Sequence, residues 1–369
     1  MANRESNNPH APELMAHRKP SSPEGSARGE EGFISRSLRL IRLSVSHGPL
    51  YAIALHRMTS SARYDPEANW RFWTSPRDVL LEGILRAYPT ATGRSKLLDK
   101  MLSQGRAEGI EFHYDVSNDF YLLFLDQDYM LYTCARFLSK DETLEQAQKN
   151  KVDFLIARLA PEAGQQILDL GCGWGGMMRC VSERIGTREG LHGYTLSKQQ
   201  MAYVQNLGFD VELQDFVEKD YAPESLDRII SIGSLEHVRP KELLPFYDKL
   251  FCALRPGGRM VTQFFSLDRE PVPPSMVWVQ LFFPGSLLAM HGVHVEAAKK
   301  AGFIIKEDVT DSYEETLRCW YDNLVKNRDE AIATSGISIF NEYMTFFPMA
   351  WRFFHDGDSS LHRMLLVKP

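Results

Sequence analysis

A short apolar segment that runs into a glycine-rich turn constrains the fold of this chain more than any other feature. Residues 166–170 read QILDL, which is typical of a buried parallel strand, and apolar residues recur at helical spacing from Met177 to Ile185. The turn between them is formed by Gly171, Cys172, Gly173, Trp174 and Gly175. Glycine is needed where a backbone turns tightly against a bound cofactor, because a Cβ atom would not fit. The segment therefore predicts a strand, a cofactor-binding turn and a helix.

The chain continues from this turn as alternating strands and helices. Further strands are predicted at 190–194, 210–214, 228–232 and, after a Pro-Gly-Gly turn at 256–258, 259–265, with helices at 197–207 and 240–254. This alternation is typical of a doubly wound, mostly parallel α/β sheet of Rossmann-like form, which binds its ligand at the carboxyl ends of the strands. The candidate ligand-binding residues that follow the strands at this edge are Thr195, Leu196, Gln200, Asp215, Phe216, Glu236 and His237.

The turn fits a dinucleotide poorly. A turn that binds a pyrophosphate reads G-x-G-x-x-G, whereas this one reads G-x-G-x-G and is followed by Gly176. The carboxylate that would bind the ribose of NAD is also missing from residues 190–197. NAD is therefore the second choice of cofactor.

The order of motifs along the chain resembles that of the cyclopropane-fatty-acyl-phospholipid synthase family, which includes the mycolic acid cyclopropane synthases and methyltransferases. The similar stretches include HYDVSNDFYLLFLD at 113–126, YTCARF at 132–137, LDLGCGWGG at 168–176, GYTLSKQQ at 193–200, IISIGSLEHV at 229–238, LRPGGRM at 254–260 and SYEETLRCWYDNL at 312–324. The resemblance covers roughly residues 111–369. It implies a class I methyltransferase domain over 108–369 that uses S-adenosylmethionine (SAM).

The resemblance also assigns residues to the cofactor. It implies that Tyr132 and Thr133 touch SAM, and that the segment from Thr195 to Gln200 holds its ribose and methionine portions. Asp215 and Phe216 form an acid–aromatic pair that could meet the adenine. Cys134 is expected to present its backbone near the reacting centre.

Glu236 and His237 are the candidate catalytic pair. A carboxylate and an imidazole beside a cofactor are suited to accepting a proton. In the similar family the equivalent carboxylate helps to hold a bicarbonate ion, together with a tyrosine, a histidine and backbone groups. Tyr313 falls on the tyrosine, but Gln263 stands in place of the histidine, and a glutamine cannot exchange a proton near neutral pH. A family cysteine is likewise replaced, near Ala350. Because these departures do not touch the cofactor site, methyl transfer is still expected. Ring closure assisted by bicarbonate is less expected than methyl transfer.

Aromatic residues on both sides of the candidate site predict a large apolar acceptor. They are Phe264, Phe265, Trp278, Phe282, Phe283, Phe346, Phe347 and Trp351. Methylation of an alkene leaves a carbocation, which aromatic faces stabilise by roughly 0.5–2 kcal/mol each. An unsaturated lipid or another apolar alkene is therefore the first acceptor. Transfer to nitrogen, oxygen or sulfur of a small molecule is the second, and a SAM-sensing protein without catalysis is the third.

Composition limits the other function classes. The chain has 369 residues, 44% of them hydrophobic, and a net charge of −6, which argues against general nucleic-acid binding. Its 5 cysteines are scattered without a C-x-x-C pair, so no metal site or disulfide framework is predicted. No apolar run reaches the roughly 18 residues of a membrane span, and no signal peptide is recognisable, so a cytoplasmic protein is expected.

The first 107 residues are predicted to precede the main domain. Residues 1–32 are polar and predicted to be disordered, and residues 33–107 form a helical extension. Within it, residues 33–58 read as two short helices broken at Gly48-Pro49, the first rich in arginine. Such a helix either docks on the main domain or makes peripheral contact with a membrane. Residues 65–104 are predicted to be helical, with a helix end near Pro89. The sequence is also compatible with a homo-oligomer.

Overall fold

A computed structural model describes residues 49–75, 117–269, 279, 282–283 and 287–369. The helices are α1 (Pro49–Thr59), α2 (Pro66–Thr74), α3 (Asn118–Leu122), α4 (Leu144–Leu159), α5 (Gly176–Ile185), α6 (Lys198–Asn206), α7 (Leu243–Ala253), α8 (His291–Ala301), α9 (Glu314–Lys326) and α10 (Arg328–His355). The strands are β1 (Ile167–Leu170), β2 (Leu191–Thr195), β3 (Asp210–Leu213), β4 (Leu226–Ile232), β5 (Leu254–Leu267), β6 (Ile304–Asp311) and β7 (Ser359–Val367). A 3₁₀ turn, Leu235–His237, follows β4.

The strands form one seven-stranded sheet in the order β3-β2-β1-β4-β5-β7-β6. The first five are parallel, while β7 runs antiparallel to both of its neighbours. The predicted doubly wound, mostly parallel sheet is confirmed, with ends within a few residues of those predicted. The exception is β5, which begins at Leu254, because Gly257 and Gly258 pair with Lys368 instead of forming a free turn.

Alternating side chains of the central strands supply two hydrophobic cores, one on each face of the sheet. On one face Ile167, Ile230 and Val261 pack with residues of α4, α5 and α6. On the other face Leu168, Ile229 and Met260 pack with residues of α7 and α8. A strand with both faces buried reads as a continuous apolar run, which is why QILDL could be recognised.

Local signals fix the helices that flank the site. Helix α4 begins with a capping box, in which the Thr143 side chain accepts from the Gln146 backbone and the Gln146 side chain accepts from that of Thr143. Helix α5 begins directly after Gly175, whose φ of 76° places it in the left-handed region. The cofactor turn therefore passes into a helix without an intervening loop.

The structure adds an antiparallel end to the sheet that the sequence pattern did not predict. Strands β6 and β7 are joined through α9 and α10, and α10 changes direction at Gly336, where φ is 83°. These two helices lie beside the candidate site and contribute several of its walls.

Helices α1 and α2 agree with two of the helices predicted in the N-terminal extension. Helix α2 packs on α9 and α10: Asn69 donates to the carbonyl of Met344, and the Tyr321 hydroxyl donates to that of Pro66. The arginine-rich helix predicted before Gly48 and the helices predicted after residue 75 lie outside the described residues, as does Trp278. Among the helices that the structure describes, none is long and apolar enough to cross a membrane.

Candidate active site

A cavity opens at the carboxyl ends of β1, β2 and β4. Its volume is about 920 Å³, which includes the open space at its mouth. The cavity lies where the strand order reverses, with β2 on one side of β1 and β4 on the other, and sheets of this kind bind their ligands at this position. We call it the first cavity. Its walls include most of the predicted cofactor residues, namely Tyr132, Thr133, Gly171, Cys172, Gly173, Trp174, Thr195, Leu196, Gln200, Asp215 and Phe216. His237 of the predicted catalytic pair also lines it.

The glycine turn needs glycine for two different reasons. A Cβ atom on Gly171 would lie 2.8 Å from Cβ of Ser234, so this position is closed by the protein itself. A Cβ atom on Gly173 would meet no protein atom within 4 Å. Glycine is favoured there by the backbone, because φ is +55°, in the left-handed region. Because Gly173 lines the first cavity, a side chain added here would enter that cavity. Gly175 lies behind the cavity wall, where a Cβ would approach Val204 to 3.1 Å.

The second and third strands present polar groups to the same cavity. The Thr195 hydroxyl donates to Oε1 of Gln200 over 2.7 Å and accepts from the Ser197 amide, so these buried side chains are held in place. Asp215 receives the amide of Val217 on Oδ1. Phe216 is buried beside it, and its ring packs in a tilted arrangement on that of Phe246, with the centroids 5.6 Å apart.

Several wall residues were not predicted. Asp169 lies within the strand motif and is buried, and this burial raises the pKa of its carboxyl to about 7. Its position in a run of aliphatic residues was the signal that could have identified it. Met130 and Leu131 also line the cavity, as do Ile232, Gly233 and Ser234, which belong to the stretch IISIGSLEHV but were given no role from the sequence.

The segment 126–135 forms a wall that is held by buried polar groups. Asp126 accepts from the amides of Tyr129 and Leu131, and Lys151 donates to Oγ1 of Thr133 over 2.7 Å. Burial lowers the pKa of Lys151 to about 7 and raises that of Asp126. Gln148 donates to the carbonyls of Leu131 and Thr133. Tyr132 and Thr133 are therefore presented on a backbone that is fixed before any ligand binds.

A second cavity of about 470 Å³ adjoins the first and shares four wall residues with it, namely Tyr132, Thr133, Gly233 and His237. Its other walls are mainly aromatic or aliphatic: Glu236, Phe265, Phe283, Tyr313, Leu317, Trp320, Phe346, Ala350 and Phe354. A Cβ atom on Gly233 would lie 2.5 Å from Cγ2 of Thr133, so glycine allows these two walls to meet between the cavities. The two cavities can therefore hold two reactants side by side.

Glu236 is the carboxylate of the second cavity. Only 5% of the residue is exposed, and Oε1 accepts from the amide of Phe265 at 3.3 Å. Its Oε2 is buried without a hydrogen-bond partner. Burial raises the pKa of Glu236 to about 8, because an apolar setting disfavours the ionised carboxylate. His237 lies next to it, with its ring 5.5 Å from that of Phe283.

Cys134 and Gln263 are near the cavities but line neither of them. The Gln263 amide donates to the carbonyl of Cys134 and accepts from Nε of Arg363. Burial raises the pKa of the Cys134 thiol to about 11, so the thiol stays protonated. The structure therefore places Gln263 as a support for the Cys134 backbone, while Tyr313 reaches the cavity wall.

The predicted aromatic walls divide into two groups. Phe265, Phe283 and Phe346 line the second cavity, and Phe282 packs behind Phe346. Phe264, Phe347 and Trp351 do not line either cavity. Phe264 is turned away because successive side chains of a strand point to opposite faces of the sheet. It therefore lies on the other face from Phe265, where it packs on His294.

The sequence and the fold of this chain are similar to those of one known family. The family model described as mycolic acid cyclopropane synthetase matches residues 102–364. Hydroxymycolate synthase MmaA4 of Mycobacterium bovis is 34% identical over 288 residues, covering 72% of this chain and 93% of the relative. A probable fatty acid methyltransferase of Pseudomonas putida is 32% identical over 277 residues, covering 71% of this chain and 70% of the relative.

A solved structure of a relative identifies the cofactor class. The mycolic acid cyclopropane synthase CmaA1, in complex with S-adenosylhomocysteine (SAH) and CTAB, superposes with a TM-score of 0.64 at 28% identity, covering 71% of this chain and 98% of the other. The predicted resemblance, the fold and the use of SAM are thereby confirmed. The chain belongs to the mycolic acid cyclopropane synthetase family of SAM-dependent methyltransferases.

Proposed function

We propose that this enzyme methylates a carbon atom of an unsaturated lipid or of another apolar alkene. The observation that carries this proposal is the second cavity, which is walled mainly by aromatic and aliphatic side chains and shares four residues with the first. Relatives named for mycolate and fatty acid modification support an acyl chain as the acceptor.

The first cavity fits SAM. Its size, the unobstructed space at Gly173 and the polar groups of Thr195, Gln200 and Asp215 suit a nucleoside with an amino acid attached. When bound, SAM supplies an electrophilic methyl group. The protein's own contribution is to hold the acceptor in line and to exclude water, and such positioning can supply about 7–11 kcal/mol at most.

The second cavity has two tasks once an alkene is methylated. Positive charge develops on the acceptor, and the faces of Phe265, Phe283 and Phe346 can stabilise it by roughly 0.5–2 kcal/mol each. A proton must then leave, and Glu236 is suited to accept it, because an ionised carboxylate in this apolar setting regains its proton readily. His237 and Tyr313 are proposed to orient the acceptor.

In the similar family, a carboxylate, a tyrosine hydroxyl and a histidine surround the bicarbonate ion in one cavity. Glu236 and Tyr313 lie on the second cavity, but Gln263 does not, and both ends of its amide are already bonded. The residues present therefore do not fit the ion. Loss of a proton from the new methyl group gives a cyclopropane, and loss of a proton from a neighbouring chain carbon gives a methyl-branched alkene.

Isotope labelling tests the acceptor. With methyl-labelled SAM and a lipid extract of the host, we expect the label in acyl chains, attached to carbon, as measured by mass spectrometry after hydrolysis of the lipids. Label found only on nitrogen, oxygen or sulfur of a small molecule would contradict the proposal and favour a heteroatom methyltransferase.

Filling the second cavity tests its role directly. Ala350 is 1% exposed and lines this cavity but not the first. Ala350→Leu is expected to lower kcat/KM for a long-chain acceptor by ~10-fold or more, because the larger side chain fills part of the cavity. A loss of about 1.4 kcal/mol in the stabilisation of the transition state already gives that factor. The affinity for SAM, measured by calorimetry, should stay unchanged and serves as the control. Equal acceptor kinetics in both proteins would show that the acceptor lies elsewhere.

Two further features of the sequence remain proposals. Peripheral membrane contact through residues 33–58 would bring the enzyme to its lipid, and a homo-oligomer is compatible with the sequence. Vesicle flotation and sedimentation experiments test them separately.

A further inference from the structure

Lys151 is a buried cation that lies behind the wall shared by the two cavities. It belongs to α4, is 0% exposed and lines neither cavity. Its amine contacts that wall at Thr133, which lines both cavities. Any influence of Lys151 on the two ligands is therefore exerted through Thr133.

Hydrogen bonds from α4 hold both the side chain and the backbone of Thr133. Nζ of Lys151 donates to Oγ1 of Thr133 over 2.7 Å and to its carbonyl oxygen over 3.3 Å. Nε2 of Gln148, on the preceding turn of the helix, donates to the same carbonyl over 3.1 Å. Among the residues that the structure describes, no other group bonds to the Thr133 hydroxyl. Lys151 alone therefore fixes the side chain.

This hydrogen bond also decides where the methyl group of Thr133 lies. The hydroxyl and the methyl group share one carbon, so fixing the position of one fixes that of the other. With Oγ1 directed to Lys151, Cγ2 faces Gly233, and a Cβ atom on Gly233 would lie 2.5 Å from it. Oγ1 is not among the atoms within 4 Å of that position. A methyl group, not a hydroxyl, therefore forms the contact where the two cavities adjoin.

A purely structural role accounts poorly for a lysine at this position. Moving an ammonium group from water into a protein core costs several kcal/mol, and apolar side chains of similar volume are often at least as stabilising. The carboxylate of Asp126 offsets part of this cost, since burial lowers the pKa of Lys151 while Asp126 raises it. A methionine would fill the same space but would offer Thr133 no hydrogen bond. The bond to Thr133 is therefore what the lysine adds.

We propose that Lys151 is a positioning residue for methyl transfer, which fixes the side chain of Thr133 so that its methyl group lies between the two cavities. The inference rests on the proposed use of these cavities by SAM and the acceptor. Methyl transfer needs both reactants in line, and a displacement of about 1 Å can lower a rate by about 100-fold. Without Lys151, the hydroxyl of Thr133 is free to turn towards Gly233, where it bonds to a ligand or to water and disturbs the alignment.

NMR of the threonine methyl groups tests the fixed orientation without any acceptor. In the full chain labelled with ¹³C at these methyl groups, three-bond couplings of Cγ2 of Thr133 should report a single χ1 rotamer in the wild type. In Lys151→Met and in Lys151→Gln, which is too short to reach Oγ1, they should report averaging over rotamers. Loss of the signal in Thr133→Val identifies it. An unchanged single rotamer in the Lys151 variants would overturn the proposal, whichever acceptor atom is methylated.

A double-mutant cycle separates positioning from packing. With labelled SAM and a lipid extract, Lys151→Met is expected to lower kcat by ~10-fold or more. The affinity for SAM, measured by calorimetry, should change little and reports folding. In a Thr133→Val background, Lys151→Met should lower kcat no further, because valine has no hydroxyl to fix. Two effects that simply add would refute the proposal. Lys149→Met is the control, since Lys149 lies on the same helix with an exposed side chain paired with Asp153, and it should keep the wild-type kcat.

Discussion

Replacement of Glu236 by glutamine is expected to lower kcat by ~10²–10⁴-fold while leaving SAM binding intact. The range is that of a general acid or base in other enzymes, and the reason is that glutamine cannot take the proton released from the methylated acceptor. The substitution keeps the shape of the side chain, so the second cavity should keep its volume.

The same variant is expected to be more stable than the wild type at neutral pH. The unfolded chain ionises this carboxyl above about 4.5, whereas burial keeps it protonated in the folded protein up to about 8. Between these values the unfolded state is favoured progressively as the pH rises, so stability falls through this window and levels off above it. The loss at pH 7 is at most roughly 3 kcal/mol, since each pKa unit corresponds to about 1.4 kcal/mol.

Denaturant unfolding at pH 4, 7 and 8.5 measures this difference. Glu236→Gln should match the wild type at pH 4 and exceed it at the two higher values. Glu242→Gln is a suitable control, because Glu242 lies on the same segment, outside both cavities, and its carboxylate accepts from the amide of Arg239. A Glu236→Gln enzyme with normal turnover would show that the proton leaves by another route.

Substitution of Gly173 by leucine is expected to weaken SAM binding by on the order of 100-fold or more, about 3 kcal/mol. A side chain at this position enters the first cavity, where the protein has no atom within 4 Å of the added Cβ. The fold should persist, because only the ligand is displaced. Calorimetry with SAM and with SAH measures the loss.

Gly186 provides a matched control for this variant. It has a φ of +77°, also meets no atom within 4 Å of an added Cβ, and ends α5 at an exposed position. Leucine there costs a similar backbone strain, roughly 1–2 kcal/mol, but should leave SAM affinity unchanged. If both variants bound SAM as the wild type does, the glycine turn would not be the cofactor site.

The sequence pattern predicted the parts of the site that follow from strand ends. A buried strand is recognisable from its apolar run, and the residues after its carboxyl end must reach the same edge of the sheet, so Thr195, Asp215 and Glu236 could be grouped without a structure. Family resemblance added Tyr132 and Tyr313, which lie far from the glycine turn in sequence.

The remaining features depend on contacts that no local pattern contains. Gln263 is positioned by Arg363, a residue of β7, and β7 was not predicted at all. Met130 and Ser234 line the first cavity, where the Met130 amide donates to the carbonyl of Asp126 and the Ser234 hydroxyl donates to that of Leu170. The side chains of His291, Asp308 and His362 lie close together only because the antiparallel end of the sheet brings them there.

The position of β7 has a consequence for the order in which the chain can fold. β6 is separated from β5 by β7, although β7 follows it in sequence after two long helices. During synthesis, residues 304–311 therefore emerge before the strand that will join them to the sheet, and they must wait unpaired until residues 359–367 arrive. Such non-local pairing slows folding and leaves an edge exposed in the meantime, so chaperone dependence should be concentrated in this interval of translation.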